Sequence, residues 1–237
     1  MVIKFNSRYK ILFVVFLISL ICLMIGLSNQ KKSVLASLPV KEKIIVVDAG
    51  HGGLDGGASS IDGVVETDIN LNIAKYLESY LAQGGAKVVM TRTEDVSLHT
   101  NNNSSVKQKK REDLLKRREI ANSSGGDMMI SIHLNKFTES KYSGAQVFYE
   151  TNFGESKTLA SSVQNSLKNE LNKDNKRVEM KIDKSKLQFQ NLSLPSIIVE
   201  CGFLSNPDET KLLNTPEYQQ KVALSIYLGI LNYYNGN

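Results

Sequence analysis

Residues 43–53, "KIIVVDAGHGG", run through four apolar positions in succession and then stop on a polar turn crowded with glycine. A short continuous apolar run bounded by turn residues reads as a strand buried on both faces. The same pattern recurs in "AKVVMTR", "DMMISIH", "AQVFYE" and "SIIVEC". Between these runs the apolar spacing changes to three and four, the period of a helix with one buried face. "TDINLNIAKYLESYLAQGG" places Ile69, Ile73, Tyr76, Leu77 and Tyr80 on one side and ends at Gly84 and Gly85. "DLLKRREIANSSGG" reads as a second helix with a glycine stop, and "TLASSVQNSLKNEL" repeats Leu159, Val163, Leu167 and Leu171 at intervals of four. Asn206, Pro207 and Glu209 form a helix start, and a last amphipathic helix is expected from about Pro216 to Tyr234. Buried strands alternating with helices predict an α/β fold. The expectation is a mostly parallel central sheet of about six strands, with helices on both faces, in a single domain.

Two stretches break the alternation. Residues 97–111, "SLHTNNNSSVKQKKR", have no apolar face and read as a polar surface loop, with His99 solvated within it. Residues 11–27, "ILFVVFLISLICLMIGL", are seventeen positions without a charge, preceded by Lys4, Arg8 and Lys10. A signal peptide has an apolar core of about 7 to 15 residues, whereas a membrane-spanning helix needs about 17 to 25. The one suitable cleavage site, Val34 to Ala36, lies well beyond the run, past two lysines. Residues 1–27 are therefore read as an uncleaved membrane anchor, with a cleaved signal sequence as the alternative. The basic N-terminus stays inside and the domain lies outside the cytoplasm. Residues 28–43 are polar and aperiodic and read as a tether, leaving 44–237 as the folded domain.

Composition alters this picture little, but charge removes one class of partner. The chain carries a net +5. Lys4, Arg8 and Lys10, with Lys31, Lys32, Lys41 and Lys43 against Glu42, account for +6, which leaves residues 44–237 at −1. The domain itself has no basic excess with which to bind nucleic acid. Only Cys22 and Cys201 are present, one in the apolar run and one expected in the core, so no disulfide staples the domain.

The chemistry stands at the ends of the buried strands. "IIVVD" leads to His51, "MMISI" leads to His133, and "SIIVE" ends on Glu200, while Glu66 sits at the start of the first helix of the domain. Ligands of open parallel sheets bind at the carboxyl ends of the strands, so these side chains should converge. Singly, each has an ordinary explanation: a histidine satisfied at a strand end, or an acid favoured by a helix dipole. Glu200 is harder to dismiss, because a carboxylate after four apolar residues is costly to bury unpaired. Two imidazoles and two carboxylates at one rim suit a metal. Two histidines, one carboxylate and an open position form a catalytic zinc set, with the second carboxylate free to act as base. Asp48 and Asp55 bracket His51 and are placed either to orient its ring or simply to form the turn. A dinucleotide loop is excluded by spacing, since Gly50 and Gly52 are followed by Asp55 where a third glycine is required.

Taken together, "DAGHGGLDGGA", "ETDINL", "LLKRREIAN", "SIHLN", "GAQVFY" and "PSIIVECGFLSN" resemble the zinc-dependent N-acetylmuramoyl-L-alanine amidases of bacterial cell walls. The resemblance covers nearly all of residues 43–235. It implies zinc held by His51, Glu66 and His133, Glu200 as the catalytic carboxylate, and peptidoglycan as substrate. The implied reaction is hydrolysis of the amide between the muramic acid lactyl group and L-alanine. A single catalytic domain, an apolar N-terminus and no wall-binding repeats are most similar to spore-cortex amidases, whose product is converted to muramic-δ-lactam. Relatives gated by activators add an activator protein to the expected partners. The chain departs from the family at "SIHLNKF", where smaller residues usually follow the histidine, and in the longer loop before "REDLL". Outside the amidase reading stand a non-catalytic, membrane-tethered wall-binding scaffold and a different zinc peptidase or deacetylase of peptidoglycan.

Overall fold

The apolar run after Lys43 becomes strand β1 (Ile44–Ala49), whose residues from Ile45 onward are fully buried. The computed structural model describes residues 7–36, 38–101, 103–183 and 185–236. In chain order, α1 (Ser7–Ala36) precedes β1, followed by α2 (Glu66–Gln83), β2 (Lys87–Met90), α3 (Val106–Ser123) and β3 (Met128–Asn135). Then come β4 (Gln146–Tyr149), α4 (Gly154–Leu171), β5 (Met180–Lys181), a 3-10 turn (Leu187–Phe189) and β6 (Ser196–Phe203). Helices α5 (Pro207–Leu213) and α6 (Pro216–Tyr234) close the chain. The strands form one sheet in the order β2-β1-β3-β6-β4-β5.

Strands β2, β1, β3 and β6 are parallel, and β4 runs antiparallel to β6. The reason for that reversal is local. Only ten residues separate β3 from β4, with no helix among them, too few for the covered crossover that parallel strands of one sheet need. Because strand side chains alternate, β1 feeds two cores. Ile45, Val47 and Ala49 pack into the larger one, formed with α2, α4 and α6. Val46 faces the other, with Met129, Ile198, Phe189 and Ala121 beneath α3 and the 3-10 turn. Helices therefore cover both faces, as the sequence pattern requires. Ile69, Ile73 and Leu77 form the buried stripe of α2; Leu159, Val163 and Leu167 form that of α4.

Three local expectations change. Helix α3 begins at Val106, inside the stretch read as a loop, because Ser105 and Gln108 make a reciprocal capping box. The remaining segment is docked rather than free: Leu98 N–H donates to Asp113 at 2.7 Å, and Thr100 N–H to Glu112 at 2.9 Å. Ser97 Oγ donates to the Gly52 carbonyl at 2.8 Å. His99 is accordingly half-buried and not solvated, with Nδ1 lacking any hydrogen-bond partner. Finally, the end of the stretch read as a tether belongs to the domain, since Val40 is fully buried in the larger core and Glu42 N–H bonds to Gly85.

The apolar run of residues 11–27 lies in α1, which continues to Ala36; residues 1–6 of the expected anchor lie outside the described residues. Side chains of α1 are described at Arg8 and 12–25, and those at 12–25 are exposed. Among the described residues, no helix is long and apolar enough to cross a membrane.

Candidate metal centre

At the end of β1 the chain turns sharply, and the turn carries His51 in the left-handed conformation, with φ of 62°. That conformation costs a non-glycine residue roughly 1–2 kcal/mol, so other contacts must hold it. The glycines around it are explained by close approach. A side-chain carbon on Gly50 would sit 2.3–2.7 Å from three atoms of the His133 ring. On Gly57 it would meet Glu66 Oε2 at 2.6 Å and His51 at 2.8 Å. The bare backbone is what lets two histidines and a carboxylate share one small space.

Three elements deliver those groups: the turn after β1, the first residue of α2 and the end of β3. His51 Nε2 lies 3.2 Å from Glu66 Oε1, and His133 Nδ1 lies 3.1 Å from the same oxygen. The two rings meet edge to face with centroids 4.9 Å apart. One ligand atom from each residue falls within 4.8 Å of the other two. Glu66 is held rigidly: Oε1 also accepts from Leu134 N–H at 3.0 Å and Asn70 Nδ2 at 3.1 Å, and Oε2 from Ala58 N–H at 2.8 Å. Leu134 and Lys136, in the stretch that departs from the family pattern, both line the cleft beside these groups, Leu134 with its side chain buried.

The far side of His51 decides what this cluster can bind. Asp55 Oδ2 pairs with His51 Nδ1 at 3.0 Å, and Lys110 Nζ donates to Asp55 Oδ1 at 2.8 Å. A proton on Nδ1 is therefore fixed by Asp55. Nε2, facing a carboxylate oxygen, must either carry a second proton or offer its lone pair to a cation. Burial works to lower the His51 pKa, but hydrogen bonds and charge from Asp55 and Glu66 win and raise it to about 9 in the metal-free protein. Glu66 is opposed by burial in the same way, yet the two histidines hold its carboxyl far below the ordinary range. A proton thus stands where a divalent ion would fit, and two imidazole nitrogens with one carboxylate oxygen are a donor set suited to zinc.

Glu200 occupies the neighbouring strand. In the parallel pair of β3 and β6, His133 and Glu200 are direct Cα partners, so both side chains emerge on one face. Glu200 lines the same cleft of about 430 Å³ as His51, Glu66 and His133. Its Oε2 is buried without a hydrogen-bond partner. Burial pushes its pKa up, and the charge of Glu66 adds to that, against the opposing pull of His133, Lys186 and His51. Cys201 points the other way and is fully buried in the core.

Two buried arginines complete the centre, and nothing in the pattern of apolar residues announced them. Arg117 donates to Asp48 at 2.7 Å, Asp113 at 2.6 Å, the Ala49 carbonyl at 2.7 Å and the His51 carbonyl at 2.5 Å. Arg92 donates to the carbonyls of Ala49 at 2.8 Å and Gly50 at 2.9 Å, and to Thr67. Three successive carbonyls, 49 to 51, are thereby fixed by two guanidiniums. Asp48 does not orient the His51 ring; it is the buried counter-charge, accepting also from Thr91 and Ser131. A visible signal existed in the i, i+4 spacing of Asp113 and Arg117 on a helix whose inward face also carries Ala121.

The chain is similar to known proteins over most of its length. A family model described as N-acetylmuramoyl-L-alanine amidase matches residues 45–232. A germination-specific N-acetylmuramoyl-L-alanine amidase of Bacillus subtilis (strain 168) is 41% identical over 199 residues, covering 84% of this chain and 82% of that one. The CwlD amidase from Clostridioides difficile, solved in complex with the GerS lipoprotein, superposes with a TM-score of 0.80 at 42% identity, over 83% of this chain and 100% of that chain. An N-acetylmuramoyl-L-alanine amidase from Clostridium difficile 630 superposes with a TM-score of 0.71 at 30% identity, over 83% of this chain and 99% of that one.

Proposed function

This chain belongs to the N-acetylmuramoyl-L-alanine amidase family, and from that premise we propose that it hydrolyses the lactyl–L-alanine amide of peptidoglycan at a zinc site formed by His51, Glu66 and His133, with Glu200 as the proton-transfer group. The observation that carries the reading is the convergence of those three donors beside Glu200, whose Oε2 is buried and unpartnered. When bound there, zinc supplies Lewis acidity toward a carbonyl oxygen and toward water. His51 and His133 each take a ring position set by their surroundings: Asp55 for His51, and the bare backbone of Gly50 for His133. Glu66, fixed by two backbone N–H groups and Asn70, donates charge without freedom to swing. Glu200 takes the proton of the attacking water and returns it to the leaving nitrogen of L-alanine. A carboxyl raised by burial is suited to both halves of that transfer.

The same reading extends to the setting. Similarity to a germination-specific amidase and to an amidase solved in complex with a lipoprotein supports a role in spore cortex and a lipoprotein activator as partner. Residues 11–27, seventeen uncharged positions within a helix, support attachment to the outer face of the cytoplasmic membrane. Incubating the zinc-loaded chain with purified peptidoglycan and identifying products by mass spectrometry tests the reaction. Stem peptides with a free L-alanine amine and denuded glycan are expected. Cuts within the stem indicate a peptidase, released acetate a deacetylase, and binding without products a scaffold.

A further inference from the structure

Pairing off the charges around the cleft leaves Glu200 and two lysines without an ion-pair partner. Arg117 takes Asp48 and Asp113; Lys110 and His51 take Asp55; the two histidines take Glu66. Lys136 gives its ammonium to the Ser59 carbonyl at 2.7 Å. Lys109, half-buried in the first turn of α3, and Lys186, exposed just before the 3-10 turn, also line the cleft. Among the described residues neither ammonium makes a hydrogen bond or an ion pair. Both belong to the lining of the same cleft, one from α3 and one from the approach to the 3-10 turn.

The chemistry of the substrate is equally one-sided. On the glycan side of the scissile amide there are only hydroxyls and neutral amides, because the lactyl carboxyl is consumed in the bond itself. On the peptide side, L-alanine is followed by a glutamate-type residue that bears a free carboxylate unless it is amidated. Both ammoniums line the same cleft as Glu200, so these unpaired cations share the space in which the bond is cut. We propose that Lys109 and Lys186 form a carboxylate subsite for the second residue of the stem peptide. The peptide then runs toward α3, and the glycan lies toward Ala58 and Lys136, which also line the cleft. Complementary charge of this kind fixes orientation and discriminates between partners.

This rests on the amide-hydrolase reading, and the test separates the two. Two muramoyl peptides are compared, identical except that the second residue is D-glutamate in one and D-isoglutamine in the other. With the zinc-loaded chain, kcat/KM is expected to be about ten- to a hundredfold higher for the acid, as for a charge-assisted contact, with most of the difference in KM. In Lys109→Ala, Lys186→Ala and the double variant, the acid-to-amide ratio falls stepwise toward one. Equal cleavage of both peptides by the unmodified chain, or lysine variants that keep the ratio, overturns the subsite. Cleavage of neither overturns the hydrolase reading instead. Calorimetric binding of the two peptides to the zinc-loaded Glu200→Gln variant gives the same ratio without turnover, and equal affinities there also overturn the subsite.

Discussion

Arg117 Nη2 donates to the backbone carbonyl of His51 at 2.5 Å, although the two residues lie 66 positions apart in sequence. That bond ties the middle of α3 to the turn that presents a candidate ligand. A lysine at this position keeps the charge but cannot serve Asp48, Asp113 and two carbonyls at once. Arg117→Lys is expected to lose about 2–4 kcal/mol of stability, as for disruption of a buried ion pair. It should also weaken zinc binding, because His51 loses its anchor. Denaturant titration of the metal-free protein and chelator competition measure the two effects separately. Unchanged zinc affinity in a destabilised variant means that Arg117 supports the fold alone.

The two glutamates have different expected fates. Glu66→Ala leaves two histidines, so zinc affinity should fall by orders of magnitude and activity with it. Glu200→Gln removes no ligand, so zinc content should remain near stoichiometric while the rate drops by roughly 10² to 10⁴. Elemental analysis beside an activity assay distinguishes them. Zinc lost from Glu200→Gln but retained by Glu66→Ala reverses the assigned roles.

Gly50 offers a test of how closely the centre is packed. Gly50→Ala places a methyl group within 2.7 Å of the His133 ring, and the ring must move. Zinc affinity should fall at least tenfold while the far-ultraviolet circular dichroism spectrum stays unchanged, because strand β1 ends before this position. Retained affinity would show that His133 can bind from a displaced position.

Acid stability should carry the signature of Asp48. Its burial alone raises the carboxyl pKa, but Arg117, Ser131, His133 and Thr91 outweigh that and bring it down from 3.8 to about 2. A folded-state pKa below the unfolded value stabilises the protein above about pH 4 and loses that contribution as pH falls toward 2. The contribution is on the order of 2 kcal/mol. Asp48→Asn is therefore expected to be less stable at neutral pH and to show a shallower loss between pH 4 and 2. Parallel acid limbs for the two proteins, by urea titration at each pH, refute this.

Attachment through residues 11–27 predicts that the full chain stays in the membrane fraction after a carbonate wash. Recovery of a soluble form beginning near Ser37 identifies the segment as a cleaved signal peptide instead.

Much of the fold and the centre is written locally. Apolar runs and three-to-four spacings mark which face of each element must be buried, and that requirement alone yields a parallel sheet with helices on both sides. The strand ends then expose His51, His133 and Glu200 as polar residues where the apolar pattern stops, and the start of α2 does the same for Glu66. What remained hidden depends on pairing at a distance. Nothing near Arg117 in the sequence identifies Asp48, 69 positions away, as its partner, nor Arg92 as the second clamp on carbonyls 49 to 51. The reversal of β4 and the docking of residues 97–100 onto α3 are likewise settled by connection length and by distant acceptors. Local sequence determines what an element must bury. Only the tertiary structure decides which distant charges and carbonyls satisfy the polar groups buried with it, because a buried polar group left unpaired is costly and its partner can come from anywhere in the chain.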